Sequence, residues 1–386
     1  MGKIILVTTG PSALIRESKM DSHCFDVVVV GAGISGLTAA GAAARTNQKV
    51  ALVATGPGGF VLGSGCLQAK EFIHARTSPS MGEAIAFFQE MAQAAGSPLE
   101  GNISEMHYLP TILGDFQGVA LAPRSLWNAE PRNGSRTAII GIRELSCFDE
   151  NFMAERMNEQ ARRLGFACTY TARQISLAQI FGGPVTTPRI ATRFDNDPGF
   201  RSELVKALRL ATSGFERAVV PGILGLHSSA QQLAQFEREL GCSLCELPTL
   251  PPSVSGLRLF NRLWSYLHEI GVELFQGFPV QKVQIHDGSC LELQVASPGH
   301  PMILRGECVV LAAGQDSAAL LGTEFAGYDE RMRPLTAGGS VMAWNLFVAE
   351  SSPHDRADSS GDAMEILAGY RAGNLAAETR GHYAAG

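Results

Sequence analysis

Three glycines, Gly31, Gly33 and Gly36, stand at fingerprint spacing in the segment Val-Val-Val-Val-Gly-Ala-Gly-Ile-Ser-Gly, residues 27–36. The first permits a tight turn, the second lets a phosphate or pyrophosphate approach the backbone, and the third lets a helix pack closely on the strand before it. A phosphate held there sits on the amino end of the helix, beside Ser35, where N–H groups and the helix dipole favour negative charge. Alone, such a triplet is a weak signal that a degenerate structural turn also satisfies. Here it follows a strand, opens an alanine-rich helix and precedes a second apolar strand at 49–54, which favours a nucleotide or flavin phosphate site. One piece is missing. A dinucleotide site ordinarily ends its second strand in Asp or Glu to hold the adenosine ribose, and this chain has Ala54 followed by Thr55. Residues 55–65 carry five glycines and Pro57, a loop suited to the carboxyl ends of the strands, where open α/β sheets bind ligands.

Other side chains offer less. The eight cysteines are scattered through 386 residues, unlike the dense framework of a small secreted domain, which fits a reducing compartment. Cys242 and Cys245 have C-x-x-C spacing, but a zinc or iron–sulfur site needs about four ligands and no second pair follows. They read as ordinary thiols at the start of a buried strand, and no metal is expected. With 18% charged residues, a net charge of -6 and a pI near 5.9, the chain lacks the basic footprint of a nucleic-acid binder.

These groups need a scaffold, and the pattern supplies an α/β one. Residues 25–30, 35–45 and 49–54 read as strand, helix and strand. The uncharged span 27–44 is nominally long enough to cross a bilayer, but its glycines describe a buried strand, a turn and a helix. No membrane span is expected, and a cytoplasmic location follows. Alternation resumes with a strand at 137–142, a charged amphipathic helix at 149–164 and a strand at 167–175. It continues with a strand at 218–224, a helix at 228–240 and a strand at 243–247. The proline-rich run 247–254 precedes an amphipathic helix over 255–270. Short strands at 272–275, 281–285 and 291–295 look meander-like, and 307–312 reads as a central strand rejoining the first sheet. The expectation is a Rossmann-type FAD/NAD(P)-binding fold with an interleaved second α/β domain. Its units are an N-terminal extension at 1–22, a flavin-binding domain at 23–125 and 303–386, and an inserted domain at 126–302. The extension is a poor signal peptide, and Leu6 stands where a myristoylation motif wants Ser or Thr.

From Phe25 onward the chain resembles the B-subunit of the anaerobic glycerol-3-phosphate dehydrogenase. The most specific string is Leu-Pro-Thr-Leu-Pro-Pro-Ser-Val-Ser-Gly-Leu-Arg-Leu, residues 247–259, with support at 139–141, 193–196, 221–226, 311–314, 333–334 and 345–347. The resemblance implies a flavoprotein subunit with FMN as its customary cofactor, FAD being the alternative. It implies two partners, an FAD-containing catalytic subunit and an iron–sulfur membrane-associated subunit, and hence a position peripheral to the inner membrane. Ser64-Gly65 resembles the family's Ser-Gly after the second strand, and Ala313-Gly314 its strand-end turn near the flavin. After Phe347 the family's glycine-rich loop is replaced by Ala349-Glu350-Ser351 and a charged run at 354–362. For oxidation of a small phosphorylated polyol, Arg258, Arg262 and Arg333 are candidate phosphate ligands and His354 a candidate base. Each arginine has a structural alternative, as a bridge between domains or a partner of Asp329 or Glu330. Leu259, Leu263 and Leu267 form a stripe suited to core packing or to docking a partner.

Overall fold

A computed structural model describes residues 22–72, 79–297, 302–323, 326–350 and 361–383. Strand β1 (Ser22–Val30) leads through the glycine turn into helix α1 (Ile34–Ala44) and then strand β2 (Val50–Ala54). Val27 and Val29 enter one apolar core while Val28 and Val30 enter another on the opposite face. That two-sided burial is why the strand reads as an unbroken apolar run.

The chain then builds a small antiparallel sheet from β3 (Leu67–Gln68), β4 (Leu99–Gly101), β5 (His107–Pro110) and β6 (Phe116–Pro123), with helix α2 (Pro79–Ala94) between β3 and β4 and α3 (Arg124–Trp127) after β6. A second unit follows: β7 (Arg136–Ile142), α4 (Glu150–Arg163), β8 (Thr169–Ile175), α5 (Ala178–Phe181), α6 (Thr187–Asn196), α7 (Pro198–Ala211), β9 (Arg217–Pro221), α8 (Ala230–Leu240) and β10 (Ser243–Leu247). Its four strands are parallel in the order β10-β9-β7-β8. They enclose an apolar core drawn from residues 129–247.

Helix α9 (Val254–Glu269) returns to the first unit, where Leu259, Leu263 and Leu267 are buried in the core with Phe260. The stripe suited to docking a partner is therefore covered by the chain itself. Strands β11 (Glu273–Gln276), β12 (Val280–His286), β13 (Ser289–Val295) and β14 (Met302–Leu311) follow. Helix α10 (Ser317–Leu321), strands β15 (Gly327–Tyr328), β16 (Pro334–Leu335) and β17 (Leu346–Val348), and helix α11 (Asp362–Tyr383) complete the order. The main sheet runs β11-β2-β1-β14-β13-β12, with β17 also on β14.

The mixed α/β architecture and the parallel β1–β2 and β1–β14 pairs match the expected Rossmann-type fold. The strands at 273–295, expected in the inserted domain, instead hydrogen-bond into the glycine-turn sheet. Val283, Leu293 and Val295 cover the face of that sheet that carries Val28 and Val30, and this burial draws them out of the insertion. We therefore propose that the inserted unit ends near residue 253 rather than 302. The expected N-terminal extension lies outside the described residues, apart from the start of β1.

Candidate functional site

The carboxyl ends of β1, β2 and β14 open onto a cleft of about 840 Å³. Gly31, Gly33, Ser35, Thr55, Ala313 and Gly314, all expected cofactor ligands, line it together with Gly56, Gly58 and Gly59. Each fingerprint glycine can be tested by what a side chain there would meet. A Cβ on Gly31, whose φ is +104°, would lie 2.2 Å from the Ala312 carbonyl oxygen, and one on Gly36 would lie 1.9 Å from the Gly31 carbonyl oxygen. Those two let strands and helix approach. Gly33 is different, for a Cβ there meets nothing within 4 Å. Gly33 caps α1 with φ -67° and ψ -178°, an unstrained backbone whose open side is the cradle a phosphate needs. Gly58, at φ +55°, comes within 3.5 Å of Gly33 by the same measure and forms the second wall expected of the glycine loop. Helix α11 holds α1 from behind. A Cβ on Gly369 would lie 2.2 Å from the Ser35 carbonyl oxygen, and one on Gly373 2.4 Å from that of Ala39.

The residues at hand fit a flavin phosphate and do not provide the usual adenosine handle. Ala54 ends β2, its carbonyl oxygen accepts from Gly277 and Phe278 N–H at 2.9 and 3.3 Å, and Pro279 and Val280 continue that wall without an acid. The charged lining residues are Asp316, Glu350 and Glu365, and no Lys, Arg or His lines the cleft among the described residues. The Ser317 hydroxyl donates to the Glu350 carboxylate, and the Tyr328 hydroxyl donates to the Glu350 carbonyl at 3.2 Å. Among the described residues, negative ligand charge thus meets no cationic side chain but backbone N–H groups, the α1 amino end and the neutral donors Ser35, Thr55 and Gln315. The three carboxylates are acceptors for hydroxyl or amide donors.

Other expected site residues lie elsewhere. A Cβ on Gly65 would meet Leu259 and Pro123, and the Ser64 hydroxyl accepts from Cys66 N–H at 3.4 Å; neither residue lines the cleft. They pack the glycine loop onto α9. Burial pushes the neighbouring Cys66 thiol up to about 11, with Ser64 opposing, so it is no nucleophile at neutral pH. Arg258 is 4% exposed and clamps the fully buried Glu246 at 2.6 and 2.9 Å. It also donates to the Gly225 carbonyl and the Ser125 hydroxyl. Arg262 donates to the Ala95 carbonyl at 2.6 Å, and Arg333 pairs with Asp329 at 2.6 Å. None of the three lines the cleft. The reason is shared: each guanidinium finds a carboxylate or carbonyl away from the cleft, on another element for Arg258 and Arg262 and within its own turn for Arg333. His354 lies outside the described residues.

Two carboxylates that sequence reasoning passed over organise the junction between the units. Glu246 accepts from the N–H groups of Ile223 and Leu224 at 3.0 and 2.8 Å. Asp195 accepts from those of Leu226 and His227 at 2.7 and 3.1 Å and from the Ser228 hydroxyl. Their signal was present: the strings at 193–196, 221–226 and 247–259 meet here. Ser253 N–H donates to Val61 in the glycine loop, so this hub also supports a wall of the cleft. Among the described residues no group of three or more His, Cys, Asp or Glu could hold a metal ion. Among them, too, no helix is long and apolar enough to cross a membrane.

The family described as glucose inhibited division protein A matches residues 26–106, the stretch that contains the glycine turn. The B-subunit of the anaerobic glycerol-3-phosphate dehydrogenase of Pectobacterium atrosepticum is 28% identical over 338 residues, covering 78% of this chain and 77% of its own. Its namesake from Pasteurella multocida is 26% identical over 341 residues with the same coverage. These matches bear out the resemblance read from the sequence. Among solved structures, L-proline dehydrogenase from P. horikoshii covers 80% of this chain and 58% of its own at 13% identity, with a TM-score of 0.34, too low to carry an inference.

Proposed function

We propose that this chain is a flavin-carrying subunit of a redox complex that oxidises glycerol 3-phosphate to dihydroxyacetone phosphate and passes electrons toward a membrane quinone pool. The observation that carries this reading is the open side of Gly33 at the α1 amino end, where a Cβ would meet nothing within 4 Å, in a chain similar over 78% of its length to the B-subunit of such an enzyme. A bound flavin would supply a carrier that takes up two electrons and releases them singly. The chain's own part is to anchor the phosphate at Gly33 and the α1 amino end, with Gly31 making the turn, and to enclose the rest between the glycine loop and the turn after β14. The visible spectrum of the purified chain and of its native complex tests this. A flavin band in the purified chain, or flavin in the complex beyond that of its FAD-containing subunit, supports the reading, and the absence of both overturns it.

FMN fits better than FAD because Ala54 leaves the second strand without a ribose acceptor. Mass spectrometry of the cofactor released on denaturation is expected to find FMN; FAD as the sole species would reverse that assignment. A second reading, a flavin-fold subunit without a cofactor that stabilises its catalytic partner, is favoured by the three cleft carboxylates and the lack of a cleft cation among the described residues. The spectrum of the isolated chain and the flavin count of the complex separate the two.

Because Arg258, Arg262 and Arg333 are engaged away from the cleft, substrate oxidation falls to a partner, an FAD-containing subunit, and membrane attachment to an iron–sulfur subunit. The chain would then work in the cytoplasm, peripheral to the inner membrane through its complex. The isolated chain is therefore expected to show no dye-linked glycerol-3-phosphate dehydrogenase activity, while the co-purified complex turns over. Full turnover by the isolated chain would make it a self-sufficient enzyme.

A further inference from the structure

The inserted unit contains a second polar cluster, remote in sequence from the glycine turn and independent of the function proposed above. Thr137 on β7 is in register with Tyr170 on β8 and with Arg217 on β9. Paired residues of a parallel sheet point to the same face, so the three form one row near the amino ends of their strands. All three are buried, at 1%, 4% and 5% exposure. Thr137 Oγ1 and Arg217 Nε and Nη1 are buried without a hydrogen-bond partner, and the Tyr170 hydroxyl has no nitrogen or oxygen partner, only the Cys168 sulfur, a weak acceptor. Buried polar groups are nearly always satisfied, and here the unsatisfied and weakly satisfied ones fall together across three adjacent strands.

The cluster is also unbalanced in charge. Arg217 donates through Nη2 to the carbonyl oxygens of Asn128 and Glu130 but forms no ion pair with a carboxylate among the described residues. The Glu130 carboxylate is engaged by His107 at 3.0 Å. Cys168, Cys242 and Cys245 approach Arg217 and could supply charge only as thiolates. Burial pushes Cys242 up to about 11 and Cys245 up to about 12, and Cys168 upward as well, so all three stay neutral. Burial likewise keeps the Tyr170 phenol protonated, a donor beside the cation. A buried unpaired guanidinium costs several kcal/mol. A water molecule would satisfy hydrogen bonds here without balancing the charge.

We propose that Arg217, Tyr170 and Thr137 form a buried binding site for a small monovalent anion of halide size. One negative charge neutralises the guanidinium, Arg217 Nε and Nη1 and the Thr137 hydroxyl supply donors, and the Tyr170 hydroxyl exchanges its weak sulfur acceptor for the ion. A monatomic ion also makes the smallest demand on a row so deeply enclosed.

The test is thermal unfolding of the full chain in sodium chloride or bromide against sodium gluconate at equal ionic strength, with bromide-soaked crystals measured at the bromine edge. The expected result is a halide-dependent rise in melting temperature of about 2–4 °C, together with an anomalous peak at the Arg217 guanidinium. Arg217→Met removes the cation and endangers folding, so Tyr170→Phe and Thr137→Val carry the comparison: the halide response should vanish in the first and shrink in the second. Identical melting in halide and gluconate, an undiminished response in both variants, or bromide absent from the guanidinium would each overturn the site.

Discussion

Gly33→Val should yield a protein that folds as the parent does and is purified without flavin. The folded state has room for the change. Gly33 has an unstrained backbone, φ -67°, and a Cβ there meets nothing within 4 Å, so the backbone is not strained and the Cβ has room, with the open cleft beyond it for the methyl groups. The bound state loses that room, because the two new methyl groups occupy the space in front of the α1 amino end where a phosphate would accept N–H bonds. Charge-assisted hydrogen bonds contribute about 1.5–3 kcal/mol each. Losing two of them weakens retention by at least ~100-fold, at about 1.4 kcal/mol per tenfold. The contrast is Gly36→Val, whose Cβ would stand 1.9 Å from the Gly31 carbonyl oxygen and must displace α1 from β1. That variant is expected to lose stability as well as cofactor. Measuring flavin content and melting temperature for both separates a phosphate cradle from a packing glycine. Parental flavin content in Gly33→Val would remove the site.

The glycine turn was legible because its physics is local. Four valines, three glycines at set spacing and an alanine-rich helix dictate strand, turn and helix with little help from the rest of the chain. The second parallel sheet was legible for a related reason, since β7, α4, β8, α8 and β10 each carry their own period or cap. Ser229 and Gln232, for example, form a capping box at the start of α8. Strands β3, β4 and β5 were not read, being two to four residues long and too short to show alternation; pairing with β6 makes them strands. Membership of β11 to β13 in the first sheet was also hidden: the expected meander holds for β12 and β13, which pair antiparallel, but β11 pairs parallel with β2 at the opposite edge, a long-range pairing that local spacing does not reveal. The same limit applied to the arginines. Their spacing allowed a phosphate role, and only the placement of Glu246, Ala95 and Asp329 shows where each charge is engaged.

Breaking the Glu246–Arg258 pair is expected to have the largest effect on stability. Glu246 is 0% exposed, and its carboxylate is met by both terminal nitrogens of Arg258 and by the N–H groups of Ile223 and Leu224. Removing one member strands the other's charge and its hydrogen-bonding groups in the interior, at a cost of about 3–5 kcal/mol. Because Arg258 belongs to α9 of the first unit and Glu246 to β10 of the second, Glu246→Ala and Arg258→Ala should loosen the junction between them. Urea unfolding and protease cleavage within 247–253 would register both losses. The double change Glu246→Leu with Arg258→Met strands neither charge and should recover much of the loss, as apolar replacements of buried pairs often do. Acid provides an independent arm. Burial pushes the Glu246 carboxyl upward, but the Arg258 charge and hydrogen bonds outweigh it, so the net shift is below the ordinary glutamate range. A carboxylate depressed in the folded state contributes stability that is fully present above its unfolded pKa and is lost as pH falls through its folded one. The parent should therefore lose stability below about pH 4.3, the unfolded value, and the double variant should lose less over the same range. Parallel acid profiles for the two proteins, or single variants as stable as the parent, would show that the pair does not hold the units together.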